Sequence, residues 1–179
     1  MSFRQIRILC FSALLLFNPI DKNFRAQDVV KENNLKAVMI YNFTKFMRWP
    51  QEDSISTFKI FVMKGSNIVQ PLRNIAEKRD FRGKKIVVQE IENLNNIKDC
   101  GVLVLSDNSS NMLKTILSKA VESNILIVGS QEGLAEEGAT VNFVKRDDTI
   151  RFEINVSTLK KTNIETNTQL LNLAVKLYN

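Results

Sequence analysis

Apolar residues recur along this chain with two alternating periods, which predicts helices and strands in turn. Between residues 28 and 47 they recur at steps of three and four, the spacing of a mostly buried helix. These positions are Leu35, Val38, Met39, Phe43 and Phe46, with Ile40 and Tyr41 widening the stripe. Because the residue before a proline avoids helical backbone angles, Trp49 before Pro50 is expected at the turn that leaves this helix.

Four short runs of aliphatic and β-branched residues predict buried strands. They span residues 58–63, 85–90, 102–106 and 125–128. Helical patterns at 67–79 and 110–122 follow the first and third of these runs. Strands that alternate with helices at this spacing indicate a sheet with a parallel core.

The pattern changes in the last quarter of the chain. Two strand-like runs, 139–145 and 149–154, flank a short polar turn and predict an antiparallel hairpin. Helices are expected at 157–162 and 167–178. The sequence therefore predicts an α/β fold: a single three-layer domain with a mixed, mostly parallel sheet of about six strands and helices on both faces.

The first 26 residues differ from the rest. A basic start with Arg4 and Arg7 precedes an apolar run from 8 to 17, and polar residues follow, which is the layout of a secretory signal peptide. The run is well short of the roughly 20 residues that a membrane-spanning helix needs. We therefore expect a signal peptide at 1–26, a mature domain at 28–179, and export.

Composition narrows the choice of function. The chain has 179 residues, a formal net charge of +6 and no histidine, so Ser-His-Asp and Cys-His pairs and imidazole zinc sites are excluded. The predicted signal peptide holds four basic residues and one acid, which leaves +3 for the mature part. The remaining cations are scattered and not interleaved with aromatics, so no nucleic-acid partner is expected.

Three loops follow the predicted parallel strands, where ligands gather in open α/β sheets: 64–67, 106–111 and 129–133. The first lacks the spaced glycines of a phosphate-binding loop. Asp107 ends a buried strand as a phospho-acceptor aspartate does, but Met63 and Lys64 stand where an acidic pair would hold Mg²⁺. Asp107 is therefore interpreted as a cap or turn residue.

The remaining candidates for chemistry have simpler explanations. Glu132, Glu136 and Glu137 lie beside glycines, as solvated loop residues do, and nothing fixes two of them across a substrate. Cys100 has no histidine to activate it, so a partly buried structural thiol is expected. We predict no catalytic residue, metal or cofactor, and hence no enzyme.

Four aromatic residues lie within nine positions at the end of the first helix: Tyr41, Phe43, Phe46 and Trp49. Core packing explains most of them, since aromatic side chains dominate core burial. In the alternative interpretation, Tyr41 and Trp49 are partly exposed and form a contact patch for a partner or an aromatic ligand.

Residues 41–50, YNFTKFMRWP, resemble the YNFAKFVEWP opening of the YfiR family. Later segments resemble that family's INFV, FEIN and LLxLA motifs in the same order, and the resemblance runs from about Leu35 to Leu177. The matching residues to which we assign a mainly structural role are Asn42, Phe43, Pro50, Asn142, Phe143, Phe152, Glu153 and Asn155.

The resemblance implies an exported, non-catalytic α/β protein, usually periplasmic and often a homodimer. Its best-known members hold an inner-membrane diguanylate cyclase inactive, and related domains are fused to sensor kinases. Better-known members carry stabilising cysteine pairs, whereas only Cys100 would remain here after processing. On this basis we predict partner contact through Tyr41, Phe46 and Trp49. The alternative is a periplasmic small-ligand binding protein that uses loops 106–111 and 129–133.

Overall fold

The computed structural model describes residues 20–95, 97 and 99–179, so the predicted signal peptide lies largely outside the described residues. The helices are α1 (Ile20–Phe46), α2 (Val69–Ala76), α3 (Leu113–Ser123), α4 (Leu134–Glu137), α5 (Val156–Lys161) and α6 (Thr168–Leu173), and a 3-10 helix (Asp107–Met112) precedes α3. The strands are β1 (Met47–Arg48), β2 (Thr57–Met63), β3 (Asp80–Phe81), β4 (Lys84–Ile91), β5 (Cys100–Val104), β6 (Leu126–Gly129), β7 (Val141–Arg146), β8 (Thr149–Asn155), β9 (Glu165–Thr166) and β10 (Lys176–Tyr178).

The main sheet has the strand order β10-β8-β7-β6-β5-β2-β4-β3. Strands β4, β2, β5, β6 and β7 run parallel to one another, β3 is antiparallel to β4, and β7 and β8 form the expected antiparallel hairpin. The α/β class and the mixed, mostly parallel sheet are thus confirmed. The sheet has eight strands rather than the predicted six or so. Strands β3 and β10 were not predicted because they are too short to show the period of a strand. Strands β1 and β9 form a separate antiparallel ribbon.

The sheet is buried on both faces, and alternate residues of each central strand enter different cores. On one face, α1, α2, α5 and α6 cover Val102, Val104, Leu126 and Val128. On the other face, α3 and α4 cover Leu103, Leu105, Ile125 and Ile127. Since successive strand residues point to opposite sides, two helical layers are needed to bury these runs, which is why they contain almost no polar residues.

The buried stripe of α1 differs from the predicted one. Ala37, Ile40 and Phe43 are buried, whereas Leu35 and Val38 are 43% and 45% exposed. The apolar positions of this helix wrap around more than half of its surface, so spacing alone does not say which side meets the sheet. The prediction that Leu35 and Val38 are buried is wrong, and both leave apolar surface facing outward.

The chain's last segment also departs from the predicted helix over 167–178. Helix α6 ends at Leu173, and Ala174 takes an extended conformation. The chain then forms β10, which pairs in parallel with β8 at the edge of the sheet. The apolar spacing of this segment fits a helix, but backbone pairing with β8 stabilises the extended form instead.

Candidate functional site

Trp49 lies in the core and not on the surface. Its side chain is 1% exposed, and its Nε1 donates a hydrogen bond to the carbonyl oxygen of Gly101 at 3.0 Å. The indole meets Phe58 and Phe81 edge to face, with ring centroids 5.0 and 5.7 Å away. Trp49 therefore cannot offer its ring to a partner, which corrects the expected contact surface.

The register of the sheet explains why a donor is needed at Gly101. Lys59 of β2 pairs with Cys100 and Ile60 pairs with Val102, so Gly101 has no counterpart on β2. An extra residue in one strand leaves its backbone groups without ladder partners. The indole N–H of Trp49 supplies the bond that the strand pairing omits.

Phe43 joins two distant segments of the chain. Its ring stacks on Phe143 at 5.9 Å between centroids and meets Phe152 edge-on at 5.0 Å. All three side chains are buried. Three of the four segments that carry the family resemblance therefore meet in one aromatic cluster, which agrees with the structural role expected for these phenylalanines.

The polar residues of the same segments are buried near the hairpin. Asn155 Nδ2 donates to the carbonyl oxygen of Ala135 at 2.8 Å, and its Oδ1 accepts from the backbone of Thr158 as the N-cap of α5. Asn142 Nδ2 donates to the carbonyl oxygen of Gln131 at 2.8 Å. Asn142 of β7 and Asn155 of β8 thus link their strands by hydrogen bonds to α4 and to the loop before it.

Glu153 is 3% exposed, and its ion-pair partner in the described chain is Arg146, at 3.5 Å. In the β7–β8 hairpin Arg146 lies opposite Thr149 and Glu153 lies opposite Asn142, so the arginine side chain reaches along the hairpin to the carboxylate. The Arg146 side chain is half exposed. Burial of Glu153 is compensated by an opposite charge, which a carboxylate in such a position requires. Pro50, by contrast, is exposed and lies in the turn after β1, whereas α1 already ends at Phe46.

An ion pair between buried Glu52 and partly exposed Arg82, which the sequence did not reveal, holds the turn after β1. Glu52 accepts hydrogen bonds from Arg82 Nη1 and from the backbone N–H of Trp49, the latter at 3.1 Å. Arg82 Nη2 also donates to the carbonyl oxygen of Met47 at 2.9 Å. Glu52 and Arg82 are 30 positions apart in the sequence, so no local spacing could have indicated their contact. These charge-assisted hydrogen bonds hold the backbone at Trp49 in place.

Tyr41, unlike Trp49, lies partly at the protein surface. It is half-buried, and its hydroxyl donates a long hydrogen bond of 3.4 Å to the carbonyl oxygen of Asp80. The Lys45 ammonium stands 4.7 Å from the centre of the Tyr41 ring, within cation–π range. Phe46 is partly buried against the core, and its carbonyl accepts from Asn167 N at 3.2 Å.

A groove of about 440 Å³ runs between α1 and α2 beside Tyr41. We call it the α1–α2 groove. Apolar side chains of both helices and polar or basic ones at its rim line it: Asn34, Val38, Tyr41, Asn42, Lys45, Pro71, Asn74, Ile75, Lys78 and Arg79. Val38 of α1 and Ile75 of α2 both line the groove, and Val38 remains 45% exposed there. Of the predicted contact residues, Tyr41 lines this groove and Phe46 and Trp49 do not.

A second, smaller cleft of about 200 Å³ lies at the carboxyl ends of β2, β5 and β6. The cleft is lined by residues of α1, among them Lys36, and by polar residues of the loops that follow the strands: Ser66, Asn67, Ser106, Asp107 and Ser130. The strand order reverses between β2 and β5, since β4 lies on one side of β2 and β5 on the other. Ligands of open α/β sheets bind at such a point.

The chemistry at this cleft is modest. Ser106 is the N-cap of the 3-10 helix and forms a capping box with Ser109. Asp107 is exposed and is the first residue of that helix, so Ser106 fills the cap position that was expected for Asp107. Lys64, outside the cleft, forms a salt bridge with Glu92. The hydrogen bond and the charge attraction between them lower the pKa of Glu92 and raise the pKa of Lys64. Both side chains are exposed, so the pair is a surface contact that adds little to stability.

Cys100 lies in β5 and is fully buried. Its Sγ donates to the carbonyl oxygen of Val102 at 2.8 Å, and burial raises the pKa of the thiol to about 12. This agrees with the structural thiol expected from the sequence. Glu132, Glu136 and Glu137 are exposed, as solvated residues are.

Two negative findings apply to the described part of the chain. No helix in it is long and apolar enough to cross a membrane. No group of three or more Cys, Asp or Glu side chains in residues 20–95, 97 and 99–179 is placed to hold a metal ion.

Comparison with known proteins decides the family. The model of the YfiR/HmsC-like family matches residues 33–175, which is most of the chain. The chain belongs to the YfiR/HmsC-like family. The resemblance carried by residues 41–50 and the later motifs is thereby confirmed, and family membership favours a regulatory rather than a catalytic role. The curated proteins contain no match to this YfiR/HmsC-like chain.

Three solved structures with low sequence identity are similar to this YfiR/HmsC-like protein to different degrees. A conserved domain protein from Vibrio cholerae is similar with a TM-score of 0.55 at 10% identity over 81% of this chain. An ABC domain in complex with L-Trp from Streptococcus pneumonia and an open substrate binding protein from Clostridium difficile each have a TM-score of 0.49, at 14% and 16% identity over 70% and 72% of this chain. The chain spans 60%, 56% and 58% of these proteins, respectively.

Proposed function

We propose that this protein is an exported regulator that controls an inner-membrane signalling protein, a diguanylate cyclase or a sensor kinase, by protein–protein contact. The observation that carries the proposal is the family match over residues 33–175. The signal-peptide pattern of residues 1–26 supports a periplasmic location, from which the protein reaches the outer side of the inner membrane.

Control by contact needs a surface whose affinity differs between two states of the partner. The α1–α2 groove offers such a surface, because half-exposed Val38 and half-buried Tyr41 present apolar area on rigid helices. We infer that Tyr41 is the contact residue of this groove and that Phe46, partly buried against the core, supports the end of α1. A homodimer would leave the groove available if it formed through another face.

Gene deletion and site-specific crosslinking test the proposal together. Deletion is expected to change cellular cyclic di-GMP or sensor-kinase phosphorylation, and the full chain with its signal peptide is expected to restore it. A photoreactive phenylalanine analogue at position 38 is expected to crosslink an inner-membrane protein that carries a cyclase or kinase domain.

The same analogue at position 173 is the matched control, since Leu173 is 60% exposed and does not line the groove. If deletion altered neither signal and position 38 captured no such membrane protein in a correctly exported, folded chain, the regulatory proposal would be wrong.

A second candidate function is small-ligand binding at the carboxyl-end cleft. The observation that favours it is the position of this 200 Å³ cleft at the reversal of strand order. A thermal-shift panel of nucleotides and aromatic metabolites tests it, because a ligand that binds only the folded state raises the melting temperature. A shift that disappears in Ser130→Leu, which would fill the cleft, supports ligand binding there. An unchanged melting temperature across the panel opposes it.

A further inference from the structure

The floor of the α1–α2 groove is apolar and built from two rigid elements. Val38 and Tyr41 come from α1, and Pro71 and Ile75 come from α2. Val38 is 45% exposed, which is unusual for a valine that faces a neighbouring helix. The Tyr41 hydroxyl donates a long hydrogen bond of 3.4 Å to the carbonyl oxygen of Asp80. The floor is therefore a preformed apolar strip and not a collapsed contact between the helices.

The rim of the groove is positively charged. Lys45, Lys78 and Arg79 line it, and no carboxylate is among the lining residues. In the part of the chain that the structure describes, none of these three cations forms a salt bridge. The nearest acids in sequence, Glu77 and Asp80, do not line the groove, and Asp80 accepts a hydrogen bond from Gly83 N at 2.7 Å.

An apolar strip flanked by unpaired cations is complementary to one type of surface. We propose that the α1–α2 groove binds an acidic amphipathic helix of the partner protein, with apolar residues on the floor and carboxylates at Lys45, Lys78 and Arg79. This inference rests on the proposed regulatory function, of which it names the partner chemistry. Charges placed in this way orient the partner and speed encounter more than they add affinity.

A helix fits the groove better than an extended strand does. The lining residues of α1 extend from Asn34 to Lys45, which is about 16 Å at the helical rise of about 1.5 Å per residue. That length matches about three turns of a docked helix. A strand would need a free sheet edge to pair with, and the groove lies between two helices, whose backbone groups are bonded internally.

Binding of a designed peptide tests this chemistry on the full folded chain. The probe is a fluorescein-labelled helical peptide of about 14 residues, with leucine and phenylalanine at positions i, i+3, i+4 and i+7 and glutamate elsewhere. The comparison peptide has lysine in place of every glutamate. Fluorescence anisotropy is expected to show binding of the acidic peptide alone, weakening as salt rises.

Charge reversal in the protein locates the site. Lys45→Glu with Lys78→Glu is expected to weaken binding of the acidic peptide by about tenfold or more. Lys160→Glu with Lys161→Glu is the matched control, because it makes the same change in net charge on exposed residues away from the groove. Val38→Asp is expected to abolish binding, and circular dichroism verifies that each variant is folded.

Three outcomes would overturn the inference. They are equal binding of the acidic and basic peptides, an equal loss of affinity in the control variant, and full displacement of the peptide by phenylacetate, which would assign the groove to a small aromatic acid. The crosslinking and cyclic di-GMP experiments do not use these peptides. If they succeed while the acidic peptide fails to bind, the helix chemistry alone is wrong and the regulatory function stands.

Discussion

Replacement of Trp49 by phenylalanine tests whether this tryptophan is a core element. The change keeps an aromatic ring beside Phe58 and Phe81 but removes the N–H that bonds the carbonyl oxygen of Gly101 at 3.0 Å. That oxygen would remain buried with no donor from the indole, because the strand pairing skips Gly101.

Two terms set the expected loss of stability. A buried acceptor left without its donor costs about 1–3 kcal/mol. Indole exceeds phenyl by roughly 40 Å³, and at about 24 cal/mol per Å³ of residual cavity the smaller ring costs about 1 kcal/mol more. Trp49→Phe is therefore expected to lower the free energy of unfolding by about 2–4 kcal/mol.

Urea unfolding followed by far-ultraviolet circular dichroism measures this loss without relying on tryptophan fluorescence. With a denaturant slope of about 2 kcal/mol per molar, the midpoint is expected to fall by about 1–2 M. Tyr41→Phe is the matched control, since it also removes one side-chain bond to a backbone carbonyl, but a long one of 3.4 Å at an exposed position. It is expected to cost less than about 0.5 kcal/mol.

A small difference in stability between the two variants would contradict this prediction. If Trp49→Phe cost no more than Tyr41→Phe, the Gly101 carbonyl would have found another partner, and the account of the register irregularity would be wrong.

Three further predictions concern buried positions. Gly101→Ala is expected to cost about 1–3 kcal/mol in thermal unfolding, because a Cβ there would lie 2.5 Å from Phe58 Cε2, and Phe58→Leu should partly rescue it in a double-mutant cycle. Cys100 is expected to resist Ellman's reagent until the protein unfolds. Its pKa of about 12 when folded, against an ordinary value of 9.0, means that the unfolded thiol alone ionises between those pH values, so stability relative to Cys100→Ala should fall by about 1.4 kcal/mol per pH unit there. Asn155→Ala is expected to cost about 2–4 kcal/mol in urea unfolding, because it removes both the N-cap of α5 and the donor to Ala135, whereas Asn155→Asp should cost less because it keeps the cap.

The central strands were predictable because both faces of each strand are buried. A run such as Val102–Leu103–Val104 is apolar throughout only if helices cover both faces of the sheet. The run therefore predicts the three-layer arrangement as well as the strand. The hairpin was predictable for a related reason, since its polar turn separates two runs with strand period.

The candidate site was predictable only in part. The cluster of aromatics at the end of α1 drew attention to Tyr41, which lines the groove, but the same cluster includes Trp49, which is buried. Residue type does not separate these roles, since both are large rings with one polar atom. The basic rim was not foreseen, because Lys45 and Lys78 are 33 positions apart and come together only when α2 packs on α1.

By itself, the sequence determined the alternation of helices and strands, the burial of the central sheet and the family, because each depends on local period or on ordered motifs. The tertiary structure alone decided which side of α1 faces the sheet, that residues 176–178 join β8 rather than extend a helix, and that Arg82 meets Glu52. These outcomes depend on packing and pairing between distant segments, whose free energy exceeds the local preferences that a sequence pattern records.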